Sequence, residues 1–175
     1  SPFGPFKHKD VALPYRGAAY WDGMYTHNPT VRYFNGKYYL YYTGNFGDGK
    51  ITSPQLNWTH RNNQRIGVAV ADDPNGPWIR FDKPVIDISA DTTAYDAQMV
   101  ANPSVTQMPD GRYLMVYKAV ARKRPQPFGG PVVHLTAIAE KPQGTFVKQN
   151  KQIIKADNVD FPAEDPFVWF QDNCY

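Results

Sequence analysis

The chain has 175 residues, enough for one domain with a real core, and its 42% hydrophobic and 20% charged residues exclude a disordered segment. A net charge of +3 is too small and too scattered to argue for a nucleic-acid partner, and no stretch approaches the roughly 18 apolar residues of a membrane helix. The single cysteine, Cys174, rules out an internal disulfide framework or a cysteine metal site.

In chain order, Ser1-Pro2-Phe3 reads as a mature or trimmed start with no signal peptide visible. The first predicted hairpin runs from His27-Asn28-Pro29 through a short apolar stretch to Asn35-Gly36, whose residues favour the positive φ of a tight turn, and on through the Tyr-rich Tyr38-Tyr39-Leu40-Tyr41-Tyr42. Trp58-Thr59-His60-Arg61-Asn62-Asn63-Gln64-Arg65 follows, dense in planar donors and read as a loop before a strand. Gly67 to Trp78 then reads as strand, Pro/Gly turn, strand.

The same order recurs. Asn102-Pro103-Ser104-Val105 opens a second hairpin with Asp110-Gly111 at its turn, and Leu135 to Phe146 repeats the Gly67–Trp78 pattern. Glu164-Asp165-Pro166-Phe167-Val168-Trp169 begins a third unit. Pro29, Pro103 and Pro166 are spaced by 74 and 63 residues, while Pro74 and Pro142, Gly76 and Gly144, and Trp78 and Phe146 are each 68 apart. The basic run Arg122-Lys123-Arg124, followed by Pro125 and Pro127, reads as a solvated loop.

Two hairpins per period make four strands, one blade of a β-propeller. A β-sandwich, the competing all-β reading, does not require the hairpin order to recur. The expected fold is therefore all-β, within one domain over 1–175: blade one at about 20–90, blade two at about 91–158, and the start of blade three at about 159–175. A closed propeller needs at least four blades, so the chain reads as the first two to three blades of a longer protein, with the remainder expected from further C-terminal sequence. Such an open fragment is not expected to act alone, since it exposes a strand edge.

The first strand of each propeller blade lines the central channel, so Asp22 to Asn28, Asp96 to Asn102, and Glu164-Asp165 are expected to converge. The strings Thr26-His27-Asn28-Pro29, Asn63-Gln64-Arg65-Ile66-Gly67-Val68-Ala69, Asn102-Pro103-Ser104-Val105 and Ala163-Glu164-Asp165-Pro166-Phe167-Val168-Trp169 resemble the five-bladed propeller glycosidases, above all family-43-like proteins related to families 117 and 32. The resemblance covers about residues 20–175. It implies a glycoside hydrolase of a polysaccharide-degrading bacterium, periplasmic or extracellular. The enzyme would be exo-acting, would work on a plant or algal polysaccharide or oligosaccharide, and would invert the anomeric centre through an Asp/Glu pair. No cofactor is required; a divalent cation such as calcium in the channel is implied as an option, with no residues identified for it. Neither nucleic acid nor membrane is an expected partner.

Carried over by position, the family's general base, pKa-tuning residue and general acid fall on Asn28, Asn102 and Glu164. An amide accepts no proton from water, so only Glu164 keeps its chemistry. Asp22 and Asp96, each six residues before an opening asparagine, are the substitute carboxylates, with Asp165 a third; a turn or cap role is the competing reading for the aspartates. His27, Asn28, Asn102, Trp58, His60, Arg61, Arg65 and Lys118 are the candidate substrate-binding residues: Trp58 to stack on a sugar, the arginines to fork onto a carboxylate or sulfate. A glycan-binding propeller without catalysis, or a phosphorylase or transferase on the same fold, are the alternatives.

Overall fold

The computed structural model describes residues 3–46, 57–154, 159 and 161–175. The elements in chain order are β1 (Tyr25–Phe34), β2 (Lys37–Asn45), α1 (Trp58–Asn62), β3 (Arg65–Ala71), β4 (Ile79–Arg80), β5 (Met99–Gln107), β6 (Tyr113–Val120), β7 (Val132–Ala139) and β8 (Val147–Ile154). They form two four-stranded antiparallel sheets of order β1-β2-β3-β4 and β5-β6-β7-β8, each with its strands in sequence order. These are two successive propeller blades.

Turn chemistry sets the first hairpin. Asn35 and Gly36 both take positive φ, 52° and 80°, so β1 and β2 pair in register from Phe34↔Lys37. The second hairpin is looser than the Asp110-Gly111 motif predicts. Only Gly111 takes positive φ, and the Met108 and Arg112 backbones bond each other across the loop.

The Trp58–Asn62 stretch, expected as a loop, is one helical turn. Asn57 caps it, its side chain accepting from the His60 N–H at 3.1 Å. Five residues are too few to show a helical period in the sequence.

The blades pack on an aromatic core. Tyr39, Tyr41, Ile66, Val68 and Ile86 of the first blade meet Val105, Tyr113, Met115, Leu135 and Phe146 of the second. Each such side chain is worth about 1.5–3 kcal/mol when fully buried. Polar tips are satisfied across the seam: the Tyr41 hydroxyl donates to the Pro142 carbonyl at 2.7 Å, and the Asn35 amide donates to the Tyr113 hydroxyl at 2.9 Å. Burial pushes the Tyr41 phenol far up from its ordinary value.

The inner strands are stitched side by side. Arg32 donates to Val105 O at 2.7 Å and Val168 O at 3.0 Å, so one guanidinium joins β1, β5 and the segment at 165–168. Thr30 Oγ1 donates to Pro103 O at 2.8 Å, and Ser104 Oγ accepts from Val168 N–H at 2.9 Å. Residues 161–175 form no strand, only an isolated bridge between Gln171 and Cys174.

Candidate active site

Each blade opens on a β-bulge. The register of β1 against β2 slips between His27 and Thr30, and that of β5 against β6 between Ala101 and Ser104. The bulged residues are Asn28-Pro29 and Asn102-Pro103. Proline has no N–H for the ladder, and Asn28 and Asn102 sit in the left-handed region at φ 48° and 52°. Asparagine tolerates that region better than most side chains, so the amides at these positions have a backbone reason.

The two bulges and Asp165-Pro166 surround one cavity of about 280 Å³, lined also by Thr30 and Phe167. Asp165 Oδ1 accepts from Asn28 Nδ2 at 3.1 Å and from Asn102 Nδ2 at 2.6 Å. Asn102 Nδ2 also lies 3.2 Å from Glu164 Oε1, and Lys118 Nζ forms an ion pair with that same oxygen. Lys118 stands opposite Ala101 on β6, beside the bulge. Glu164 Oε2 has no partner among the described residues, so it is open to a ligand.

His27 joins the cluster through Asn28. The Asn28 amide nitrogen is spent on Asp165, so its Oδ1 accepts from His27 Nδ1–H; His27 Nε2 then faces the Gln64 amide at 3.4 Å. A residue the sequence did not single out, His134 on β7, is fully buried and its Nε2–H donates to the Glu164 carbonyl at 3.0 Å. Its position opposite Lys118 is the only signal that could have found it.

Asp22 and Asp96, the expected substitutes for the base, are buried and make no hydrogen bond to this cluster among the described residues. The Asp22 side chain has no exposure; it accepts from Arg16 Nε at 2.7 Å and the Tyr42 hydroxyl at 2.6 Å, with Arg80 Nη1 at 3.5 Å. Asp96 repeats the arrangement in the second blade, against the Tyr117 hydroxyl at 3.4 Å and Lys148 Nζ at 2.6 Å. The repeat places the two aspartates equivalently, but as buried pins of each sheet. Burial, reinforced by the neighbouring carboxylates, pushes the Tyr42 and Tyr117 phenols far up, so both keep their protons and donate.

The α1 cluster divides. Arg65 is committed to Asp87 at 2.5 Å and to the carbonyls of Asn62 and Gln64, and His60 is buried against the Tyr25 ring at 4.9 Å. Both were expected to bind substrate; Arg65 lines a separate cavity with Trp21, Asn63 and Asp87. Trp58 and Arg61 are half-buried at the surface. The Arg61 guanidinium is held somewhat below its ordinary value by burial, an effect opposed by the charge of Glu164.

Calcium takes six to eight oxygens, more than the described residues bring together here. Among the described residues no group of three or more His, Cys, Asp or Glu side chains could hold a metal ion, and Glu164 and Asp165 are engaged by Lys118 and the two asparagines.

A carboxylate cluster at the bulges of two successive four-stranded blades fits a propeller glycoside hydrolase. The family model for glycosyl hydrolases family 43 matches residues 7–103, more than half of the sequence, and the chain belongs to that family. Among solved structures it is similar to Zg3597, a family 117 glycoside hydrolase from the marine bacterium Zobellia galactanivorans, at 26% identity and TM-score 0.62, over 81% of this chain and 36% of that one. It shares the fold of a glycosyl hydrolase from Bacteroides ovatus (21% identity, TM-score 0.54, 73% of this chain and 32% of that one). It also shares the fold of CoXyl43, a β-xylosidase/α-arabinofuranosidase from a compost microbial metagenome (17%, 0.56, 75% and 36%). The chain thus spans about a third of the length of the structures it matches. No curated protein matches it.

Proposed function

We propose that the intact protein carrying this chain hydrolyses glycosidic bonds in plant or algal oligosaccharides or polysaccharides, with Glu164 as proton donor to the leaving oxygen and Asp165 as the ionised carboxylate beside it. Export to the periplasm or the cell exterior would bring it to substrates of that size. The carrying observation is Glu164 itself: one oxygen is held against Lys118 and Asn102 and the other has no partner among the described residues, at the position to which the family resemblance assigns the acid. The cavity of about 280 Å³ beside it is lined by Asp165 and both asparagines, and exo-action on an end sugar is the mode the family resemblance implies.

Glu164 Oε1 and Asp165 Oδ1 both bond one nitrogen, so they lie no more than about 6 Å apart. That is short of the roughly 6.5–9.5 Å between the carboxyl groups of inverting pairs. NMR of the first-formed anomer distinguishes inversion from retention. The test of the reaction is Glu164→Gln in the intact protein: a loss of about a hundredfold or more in kcat supports the assignment, and unchanged turnover removes Glu164 from the mechanism.

One observation favours a second reading, a propeller that binds glycans without cleaving them. Both opening positions carry amides, and both amides are spent on Asp165. Calorimetric binding with no product after long incubation would support it.

A further inference from the structure

Arg61 stands out among the half-buried arginines. Arg16, Arg65 and Arg80 each hold a carboxylate, and Arg32 spends Nε and Nη2 on two carbonyls. Arg61 spends only Nη1, on Asn62 Oδ1 at 2.9 Å and Phe128 O at 2.7 Å. Among the described residues its Nε and Nη2 have no partner and no carboxylate forms an ion pair with it. A guanidinium donates through a fixed planar fork, so this unpaired Nε/Nη2 edge matches the two oxygens of an oxyanion.

The edge is held in place and has an aromatic surface beside it. Arg61 Cζ lies 5.5 Å over the Trp58 ring, and Trp58 meets Phe128 edge to face at 4.8 Å. Phe128 is 60% exposed, on the 121–131 loop that Asn62 and Gln98 tie to α1 through the Pro127 carbonyl at 3.0 and 2.9 Å. Asn62 and Gln98 also bond each other at 3.0 Å, and Gln126 donates to Gln98 Oε1 at 2.6 Å. The loop is thus fixed against the helix. Gln64, just past α1, reaches His27 of the catalytic cluster, and Arg61 is close enough to Glu164 to feel its charge.

We propose that Arg61, with the Trp58–Phe128 ring pair, forms a subsite for an anionic sugar beside the scissile bond: the rings stack on the sugar face and the free guanidinium edge grips a carboxylate or sulfate ester on it. This names the substrate class of the site proposed above and rests on that reading. The Lys118 ammonium, beside Glu164, offsets the repulsion between the ionised Asp165 next to it and the incoming anion. Arg61 acts as a specificity determinant, with no part in proton transfer.

The test uses the intact protein and two matched probe pairs: trigalacturonate with its methyl ester, and a sulfated galacto-oligosaccharide with its desulfated form. Affinity is read by calorimetry, and product formation is assayed separately, so a protein that binds without cleaving still reports on the subsite. One charged probe is expected to bind about tenfold or more tightly than its neutral partner, and the pair that shows the preference identifies carboxylate or sulfate as the anion. Arg61→Met, which keeps the alkyl packing, should abolish the preference; Arg61→Lys should retain part of it. Phe128→Ala, at an exposed position, should weaken charged and neutral probes alike. Equal affinity within both pairs, no binding of any of the four, or a preference that survives Arg61→Met would overturn the proposal.

Discussion

The Asn102 side-chain amide lies 2.6 Å from Asp165 Oδ1, bonding the bulge of the second blade to the opening of the third. Asn102 is 6% exposed and its own N–H is held by Thr43 Oγ1 at 2.8 Å, so one residue ties three channel segments together. Replacing it by aspartate sets a third carboxylate against Asp165 and Glu164. Asn102→Asp is expected to lower the unfolding temperature at neutral pH, with a cost of about 1–3 kcal/mol from the lost bonds alone. The loss should shrink on acidification, as protonation relieves the repulsion. Thermal melts across pH check this; an unchanged melting temperature at pH 7 would contradict it.

The buried carboxylate pins give a different outcome. Asp22→Ala removes the buried carboxylate of Arg16 and Arg80, leaving Arg16 only the exposed Asp82 and Arg80 no carboxylate among the described residues, for which up to about 3–5 kcal/mol is the expected cost. Circular dichroism and denaturant titration should show the folded state failing before any selective kinetic defect. A variant that folds normally but has lost kcat would return Asp22 to the active site.

Gly44 separates packing from backbone strain. A Cβ there would fall 2.5 Å from Asp22 Cβ and 2.8 Å from the Trp21 ring, whereas a Cβ at Gly36 meets nothing and suffers only its φ of 80°. Gly36→Ala should therefore cost about 1–2 kcal/mol and Gly44→Ala distinctly more. Denaturant midpoints rank the two.

Alkaline stability follows from the buried phenols. Tyr41, Tyr42 and Tyr117 are all raised above the ordinary value of 10.0, first by burial. A group whose value is raised in the folded state contributes stability that is complete below the unfolded value and is lost as pH climbs past it. Stability should hold up to about pH 10 and fall above it, with tyrosinate absorbance rising together with unfolding. Tyrosinate forming at those positions well below that pH in the folded protein would contradict the burial.

The repeat was legible because its signals are local. Asn-Pro at each bulge and Asn35-Gly36 at the hairpin are backbone requirements written in adjacent residues, so two blades could be read from one chain. The equivalence of Asp22 and Asp96 was legible too, but their role was not. It depends on Arg16, Arg80 and Lys148, brought from other segments by the fold. His134 and Phe128 gave no signal of their own. One reads as an ordinary alternating strand residue, the other as part of a Pro-rich loop, and only cross-strand register and loop docking bring them beside Glu164 and Arg61 respectively. The split between Arg61 and Arg65 has the same origin, since Asp87 is a partner 22 residues away.

The central claim is that Glu164 is the proton donor of a glycosidase. The most direct measurement is the steady-state hydrolysis of aryl glycosides by wild type and Glu164→Gln of the intact protein, with leaving groups of graded acidity. The account predicts that Glu164→Gln loses about a hundredfold or more with poor leaving groups and much less with highly acidic ones, which need no proton. Equal turnover by the two proteins across the series would contradict it.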